Sequence, residues 1–484
     1  MNTNLVLLLI ILIHITNIFA QWQPDQRLTN NTASSNTSNN NARCVAASEN
    51  EVHVVWYDDR NPGNSEIYYK RSTDGGINWG ADVRLTNSSD FSGYPSISVS
   101  GLVIHVVWED SRNGNSEIYY KRSTDSGINW GIDTRLTSNT ASSTIPSISV
   151  SGSAVYVVWR DDRSDQFGDI FYKRSTDGGV SWGSDLSLTI SNNSYSAYPS
   201  ISISGTFIHV VWHDSRDGNS EIYYKRSTDN GITWGSDTRL TNNISSSTFP
   251  NVSVAGSLVH IVWNDDRIGN SNRIYFKRSS DGGISWGSDT RLTTNNAYEE
   301  HPSVSISGSA IHAIWMDQRN GPLEVYYKRS LNEGITWESD IRLTISAVNS
   351  NLPSVAFSGS FVHVVWQDQR DGNFEVYYKR NPTGNLVGLI HTNFEIPNSF
   401  SLLQNFPNPF NPVTNIEFTL PKQGSVELII YNSLGKQVAV LVNGNLNAGR
   451  YSADWDATHY PSGVYFYTLK AESYTETKKM ILIK

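Results

Sequence analysis

The sequence predicts an all-β chain, a seven-bladed β-propeller followed by a small β-sandwich, on three observations. The motif Trp-x-Asp-x-Arg occurs seven times, starting at Trp56, Trp108, Trp159, Trp212, Trp263, Trp315 and Trp366. Successive copies lie 52, 51, 53, 51, 52 and 51 residues apart, a regular period of the kind that marks a repeat architecture. Each repeat holds four short strand-like runs, and about four strands in 40–50 residues is the signature of one propeller blade.

The elements follow in order within a repeat. A first run such as Pro95–Gly101 leads into a second such as Val52–Trp56, which is apolar on both faces, as expected of a strand covered by neighbouring blades. A third run, as in Glu117–Arg122, and a fourth, as in Arg135–Thr137, complete the set. Hairpin turns such as Asn113-Gly114 and Asp371-Gly372 favour antiparallel blades over a parallel solenoid. The seventh third-strand copy ends at Arg380 with no Arg-Leu-Thr run after it, and the missing copy stands at the other end as Arg27-Leu28-Thr29. The N-terminal segment is therefore expected to supply the outer strand of the seventh blade, closing the ring and removing exposed sheet edges.

Composition agrees with this scaffold and excludes other classes. Of 484 residues, 17% are charged and 38% apolar, with 15 Trp, 24 Tyr and 16 Phe. Coiled coils and disordered tails do not look like this. A net charge of −9 offers no basic field for nucleic acid. The single cysteine, Cys44, has no intramolecular disulfide partner. Seven Trp close the second strands and six close the boxes described next, which leaves only Trp22 and Trp455 outside the repeat.

The ends of the chain are different. Leu5–Ile13 is a nine-residue apolar run approaching Ala20, too short to span a bilayer, and residues 1–20 read as a secretory signal peptide. No transmembrane segment is expected in the mature chain. The propeller is expected over residues 21–380, a linker over 381–398, and an immunoglobulin-like sandwich of about six short strands over 399–484. In that last stretch, Asn405–Pro412, Trp455-Asp456, Ser462–Tyr467 and Lys478–Lys484 resemble the C-terminal sorting domain of type IX secretion. The resemblance implies export to the outer cell surface or the medium, with the secretion machinery as a partner.

Between third and fourth strands lie Ser72–Trp79, Ser123–Trp130, Ser175–Trp182, Ser227–Trp234, Ser279–Trp286 and Ser330–Trp337. Each fits Ser-x-Asp-x-Gly-x-x-Trp, apart from Asn332 in the sixth, and the set resembles the Asp-box repeats of sialidase-like propellers. Asp74, Asp125, Asp177, Asp229, Asp281 and Asn332 are read as structural: the acid accepts turn N–H groups, Gly supplies a positive φ, and Trp packs back onto its hairpin.

The resemblance to sialidases implies an arginine cluster, a Tyr–Glu nucleophile pair and an acid/base Asp. Arg43 fits the place of the first arginine, although neither the aromatic nor the proline of the family's motif accompanies it. Asp59 and Glu66 follow at acid/base distance, although Glu66 recurs as Glu117, Glu221, Glu324 and Glu375. Tyr298, Glu299, Glu300 and His301 break the repeat, as do Arg160 and Arg273. Seven arginines, Arg60, Arg112, Arg163, Arg216, Arg267, Arg319 and Arg370, circle one face as candidates for an anionic or sugar ligand, against an architectural reading as repeated ion pairs. The second-strand histidines (His53, His105, His209, His260, His312 and His363) stand too far apart to share a metal and read as packed residues. No metal and no cofactor is expected, and no HExxH, GxSxG or phosphate loop suggests other chemistry. Catalysis needs one asymmetric cluster, so this repetition favours a monomeric propeller that binds a glycan or protein; the alternative is an exo-sialidase-type hydrolase.

Overall fold

The computed structural model describes residues 22–484, apart from 40–41, 62, 165–166, 191–193, 270, 360, 383–389, 394–396, 423, 447 and 458–459. The signal peptide expected over residues 1–20 lies outside the described residues.

Seven antiparallel sheets each run from an inner to an outer strand, and the second blade is representative: Ser92–Ser100, Val103–Asp110, Glu117–Ser123 and Thr134–Arg135. In the seventh blade the order is Ser350–Ser358, Phe361–Asp368, Glu375–Asn381 and then Gln26–Arg27 from the other end of the chain. Gln26 pairs with Tyr378 and Arg27 with Tyr377, and Leu28 N–H donates to the Val376 carbonyl at 2.8 Å. This is the closure expected from the displaced Arg-Leu-Thr run. The inner strand of the first blade is split into Ser35–Asn36 and Val45–Ser48, both paired to Glu51–Asp58.

The core is distributed around the ring. Val55 and Tyr69 of the first blade pack with Ile97, Ile104, Val106 and Trp108 of the second, and a like cluster lies between most neighbouring pairs. Val365, Val376 and Tyr378 of the seventh blade meet Val45, Val52, Val54 and Trp56 of the first, so the ring is continuous across its seam. A second strand such as Leu258–Asp265 is therefore buried along its whole length, which is why these strands are apolar on both faces.

The Asp-boxes hold themselves and their neighbours. Asp125 accepts the Asn129 N–H at 2.8 Å, the Asn129 amide at 2.7 Å and the Ser123 hydroxyl at 2.8 Å, which hold its carboxyl down at about 2. Asn332 keeps the acceptor role, taking the Thr336 N–H at 2.9 Å. Each box tryptophan also reaches the blade before its own. Trp130 stands edge-on to Tyr69 of the preceding blade at 4.9 Å, and Trp79 to Tyr378 across the seam at 4.8 Å. The reason is close approach: Gly127, at φ +82°, sits where a Cβ would come within 2.1 Å of the Tyr69 hydroxyl. Arg71 also donates to the Ser126 carbonyl at 2.8 Å, so each box clasps the blade before it.

The C-terminal domain has two four-stranded sheets, Ile390–Asn393, Gly449–Asp456, Val413–Leu420 and Ser401–Leu402 against Gln437–Leu446, Gly424–Asn432, Gly463–Ala471 and Tyr474–Leu482. Its core joins Ile416, Phe418, Leu428, Ile430, Trp455, Tyr467 and Leu482. Within the stretch 381–398 read as a linker, Ile390–Asn393 pairs with Gly449–Asp456 as an edge strand of this domain. A short polar run gives little strand signal when it only extends an existing sheet edge.

Candidate functional site

Asp-boxes follow the third strands, so second strands end and inner strands begin on the opposite face. Two positions there break the sevenfold pattern. One is the x after each second-strand Trp, filled by Tyr57, Glu109, Arg160, His213, Asn264, Met316 and Gln367, a different residue type in every blade. The other precedes each inner-strand proline: Tyr94, Ile145, Tyr198, Phe249, His301 and Leu352. All six adopt φ between +50° and +56° where the inner strand shifts register, as between Gly93 and Ser96. Left-handed backbone at residues with a Cβ costs on the order of 1–2 kcal/mol each, and such strain is concentrated at functional sites.

The two positions are coupled. The x residue of one blade receives the N–H of the left-handed residue in the next: Phe249 donates to Nδ1 of His213 at 3.4 Å, and Ile145 donates to Glu109. Over blades three to six the side chains form a continuous aromatic crescent. Arg160 stacks on Tyr195 at 4.9 Å, Tyr195 on His213 at 5.6 Å, and His213 lies 5.2 Å from Tyr198. Tyr198 meets Phe249 edge-on at 4.4 Å, and Phe249 lies 4.8 Å from His301. Tyr57, Phe91 and Tyr94 make a smaller group on blades one and two.

Titratable groups on this face are perturbed mainly by burial. Burial lowers His213 to about 4 and His301 to about 4, so both rings are neutral at pH 7. It raises the Glu109 and Glu300 carboxyls, against the opposing pull of hydrogen bonds from Ser116 and from Tyr298 and Asn272 respectively. Several buried polar atoms here have no hydrogen-bond partner among the described residues: Nε of Arg160, Oγ1 of Thr144, Oδ1 of Asn351, and both amide atoms of Asn264. Buried polar groups are nearly always satisfied, and these atoms stand among others like them around the ring, such as the Trp130 and Trp182 indole nitrogens.

The residues singled out from sequence divide. Tyr298 and Glu300 do come together, the Tyr298 hydroxyl donating to Glu300, whose Oε1 also takes the Asn272 amide at 2.8 Å. Arg43 points elsewhere, to Ser253 on the inner strand of the fifth blade at 3.4 Å. Asp59 is exposed and accepts the Ser65 hydroxyl at 2.5 Å. Glu66 is fully buried and braces its blade, taking Arg84 at 2.6 Å and Ser88 N–H at 2.9 Å. Glu299 is such a brace too. The fifth blade has Arg273 where most others have Glu, and Glu299 supplies the lost carboxylate, accepting from Thr293, Asn295 and Ile274 N–H.

Each arginine of the ring is tied into its own blade by ion pairs, the arrangement expected of the architectural reading. Arg60 grips Asp58 and reaches Asp82 at 2.7 Å while lying over Tyr68 at 4.4 Å, and Arg112, Arg216, Arg267 and Arg319 repeat that arrangement. Arg163 does so on Phe171, and Arg370 closes its set with Asp25 from the N-terminal segment. The second-strand histidines are packed, His105 Nδ1 facing the Tyr120 hydroxyl at 2.7 Å. Among the described residues no group of three His, Cys, Asp or Glu is arranged to hold a metal. The funnel residues Arg160, Tyr195, Tyr198, His213 and Phe249 were outside the candidate site. Their signal was the x position itself, which varies while the Trp and Asp around it never do.

Residues 404–484 match the family "Secretion system C-terminal sorting domain". The C-terminal domain is a type IX sorting domain. It sends the protein to the cell surface or the extracellular space, and no helix among the described residues is long and apolar enough to cross a membrane. No curated protein sequence matches the chain. Among solved structures, a polysaccharide lyase of family PL25, an ulvan lyase bound to -[GlcA(1-4)Rha3S]-, has a TM-score of 0.52 at 11% identity, over 73% of this chain and 94% of its own. The polysaccharide lyase Uly1 follows with 0.50 at 11%, over 70% and 89%. A mutant Trypanosoma rangeli sialidase with trans-sialidase activity scores 0.41 at 12%, over 81% and 84%. At these identities the likeness is one of fold.

Proposed function

We propose that this exported propeller binds a glycan in the funnel formed by Arg160, Tyr195, Tyr198, His213, Phe249 and His301. The observation that carries the reading is the aromatic crescent running from Arg160 to His301. Saccharide rings present apolar C–H faces and polar edges, and a site for them pairs aromatic faces with a few fixed polar groups. Here the polar groups are the Arg160 guanidinium, the Glu109 and Glu300 carboxyls and the Asn272 amide. The lyase relatives in fold are glycan-active, which agrees with this choice over a protein ligand.

The test is affinity electrophoresis of the full chain against a panel of neutral and uronate-containing polysaccharides. Phe249→Ala and Tyr198→Ala should each weaken retention at least about 30-fold, the loss of one aromatic hot spot of about 2 kcal/mol. Unchanged retention by both variants, with Ile77→Ala on the opposite face as control, would refute the funnel as the binding site.

A second reading, glycoside hydrolysis of the sialidase type, is favoured by one observation, the Tyr298 hydroxyl bonded to the Glu300 carboxylate. A tyrosine polarised by a carboxylate is the nucleophile such chemistry needs. Turnover of a fluorogenic sialoside that disappears in Tyr298→Phe would establish this reading, and no turnover on any sialoside would remove it.

A further inference from the structure

The kind of sugar that suits the crescent follows from where its charges are committed. Arg160 is the one arginine of the crescent, and its Nη2 lies 2.9 Å from Oδ1 of Asp162. The same guanidinium stacks on Tyr195 at 4.9 Å, so it meets a ligand already paired and already covered. Its neighbours are committed too. Arg163 of the same blade is gripped by Asp161 at 2.6 Å, and Arg216 and Arg267 of the next two blades by Asp214 and Asp265, also at 2.6 Å. Arg273 is buried and donates to the main-chain carbonyls of Asn272 at 2.8 Å and Ala297 at 2.6 Å. Between positions 22 and 380, the residues outside the described ones include neither lysine nor arginine.

The two crescent histidines add no positive charge. Burial lowers both to about 4. His213 accepts the Phe249 N–H on Nδ1 at 3.4 Å, which leaves Nε2 to carry the proton of a neutral ring. The group at the far end is an acid: Glu300 accepts from the Tyr298 hydroxyl, and its Oε1 takes the Asn272 amide at 2.8 Å. A carboxylate or sulfate entering between Arg160 and Glu300 would give up water, face a like charge and find no uncommitted cation among the described residues of the crescent. Desolvated charge without a partner is what discriminates against a ligand most strongly. A sugar hydroxyl carries no such penalty, because it donates to a carboxylate and accepts from a neutral imidazole, phenol or amide.

We propose that the crescent selects an uncharged polysaccharide, built of neutral sugar units, and turns away uronate, sulfated and sialylated chains. The inference rests on the glycan reading of this site and narrows it to a substrate class. Asp162 is then a specificity-determining residue, since it cancels the one guanidinium that could hold an anionic substituent.

The experiment is affinity electrophoresis of the full chain at pH 7 against polymers matched in backbone and differing in charge: hydroxyethyl cellulose with carboxymethyl cellulose, dextran with dextran sulfate, and agarose with carrageenan. In the pair that is retained, the neutral member should be held at least about tenfold more strongly, and Phe249→Ala should abolish the difference. Asp162→Asn frees Arg160 and should raise retention by the charged member at least about tenfold. Should Phe249→Ala fail to fold, Tyr198→Ala takes its place, and the wild-type comparison needs no variant. Retention that depends on Phe249 but is as strong on the charged member, or no gain in Asp162→Asn, overturns this inference and leaves the glycan reading standing. Retention of no polymer, or retention indifferent to both aromatic variants, overturns the glycan reading and this inference with it.

Discussion

Asp110 and Arg112 form a two-pronged ion pair, Nε to Oδ1 at 2.7 Å and Nη2 to Oδ2 at 2.6 Å. The same carboxylate accepts the Trp108 indole N–H at 2.9 Å and the Ser92 hydroxyl at 2.9 Å. One buried acid therefore ties together the inner strand, the second strand and the loop after it. Asp110→Ala strands the partners of this carboxylate and should cost about 3–5 kcal/mol of unfolding free energy in urea. Glycan affinity of the folded fraction should not change, because Arg112 belongs to the blade and not to the funnel.

Packing between blades can be separated from backbone strain with two glycines. Gly127 and Gly114 both have positive φ, +82° and +94°, but a Cβ on Gly114 meets nothing within 4 Å. Gly114→Ala should cost only the left-handed penalty, about 1–2 kcal/mol. Gly127→Ala adds a collision with Tyr69 and should cost about 1–3 kcal/mol more. Equal losses in a denaturant titration would mean that the box does not clasp its neighbour.

Acid should loosen the propeller over a defined interval. Burial lowers His53, His105 and His209 to about 4 and His260 and His363 to about 3, whereas the unfolded chain protonates them near about 6.5. Between those values the unfolded state binds protons that the folded state does not. Stability is therefore complete above about pH 6.5 and falls as the pH drops toward 4, by about 1.4 kcal/mol per pH unit for each histidine in its range. His105→Asn should flatten the slope of unfolding free energy against pH by about one such increment, and an unchanged slope would contradict the assignment.

Removing residues 404–484 should leave the propeller folded, since the two domains have separate cores, but retain it in the periplasm. Cell fractionation of the truncated and full chains reads this directly. Truncated protein at the cell surface would contradict the sorting assignment.

Most of the fold was legible because each blade repeats the same solution. Trp108 and Asp110 have counterparts in every copy, so period and strand count follow from the chain alone. The displaced Arg27-Leu28-Thr29 run gave away the closing strand. The site was harder to read for the same reason. The residues that recur, Arg60 and Glu66 among them, brace their blades. The proposed glycan site lies in what fails to recur, such as the x filled by Arg160 or His213. The swap of Arg273 and Glu299 also broke the pattern, yet only the structure reveals one carboxylate replacing another. The inter-blade packing of Trp130 on Tyr69 could not be read locally, because its partner lies in a different repeat.

Arg27 and Glu375, bonded at 2.8 Å, are 348 residues apart, among the first and last parts of the propeller to be synthesised. The earliest strand has no partner until the seventh blade exists, so it must wait through translocation with its edge bare. Completion of the circle is thus tied to completion of the chain. A product cut short of the seventh blade lacks this pairing and stays an open arc.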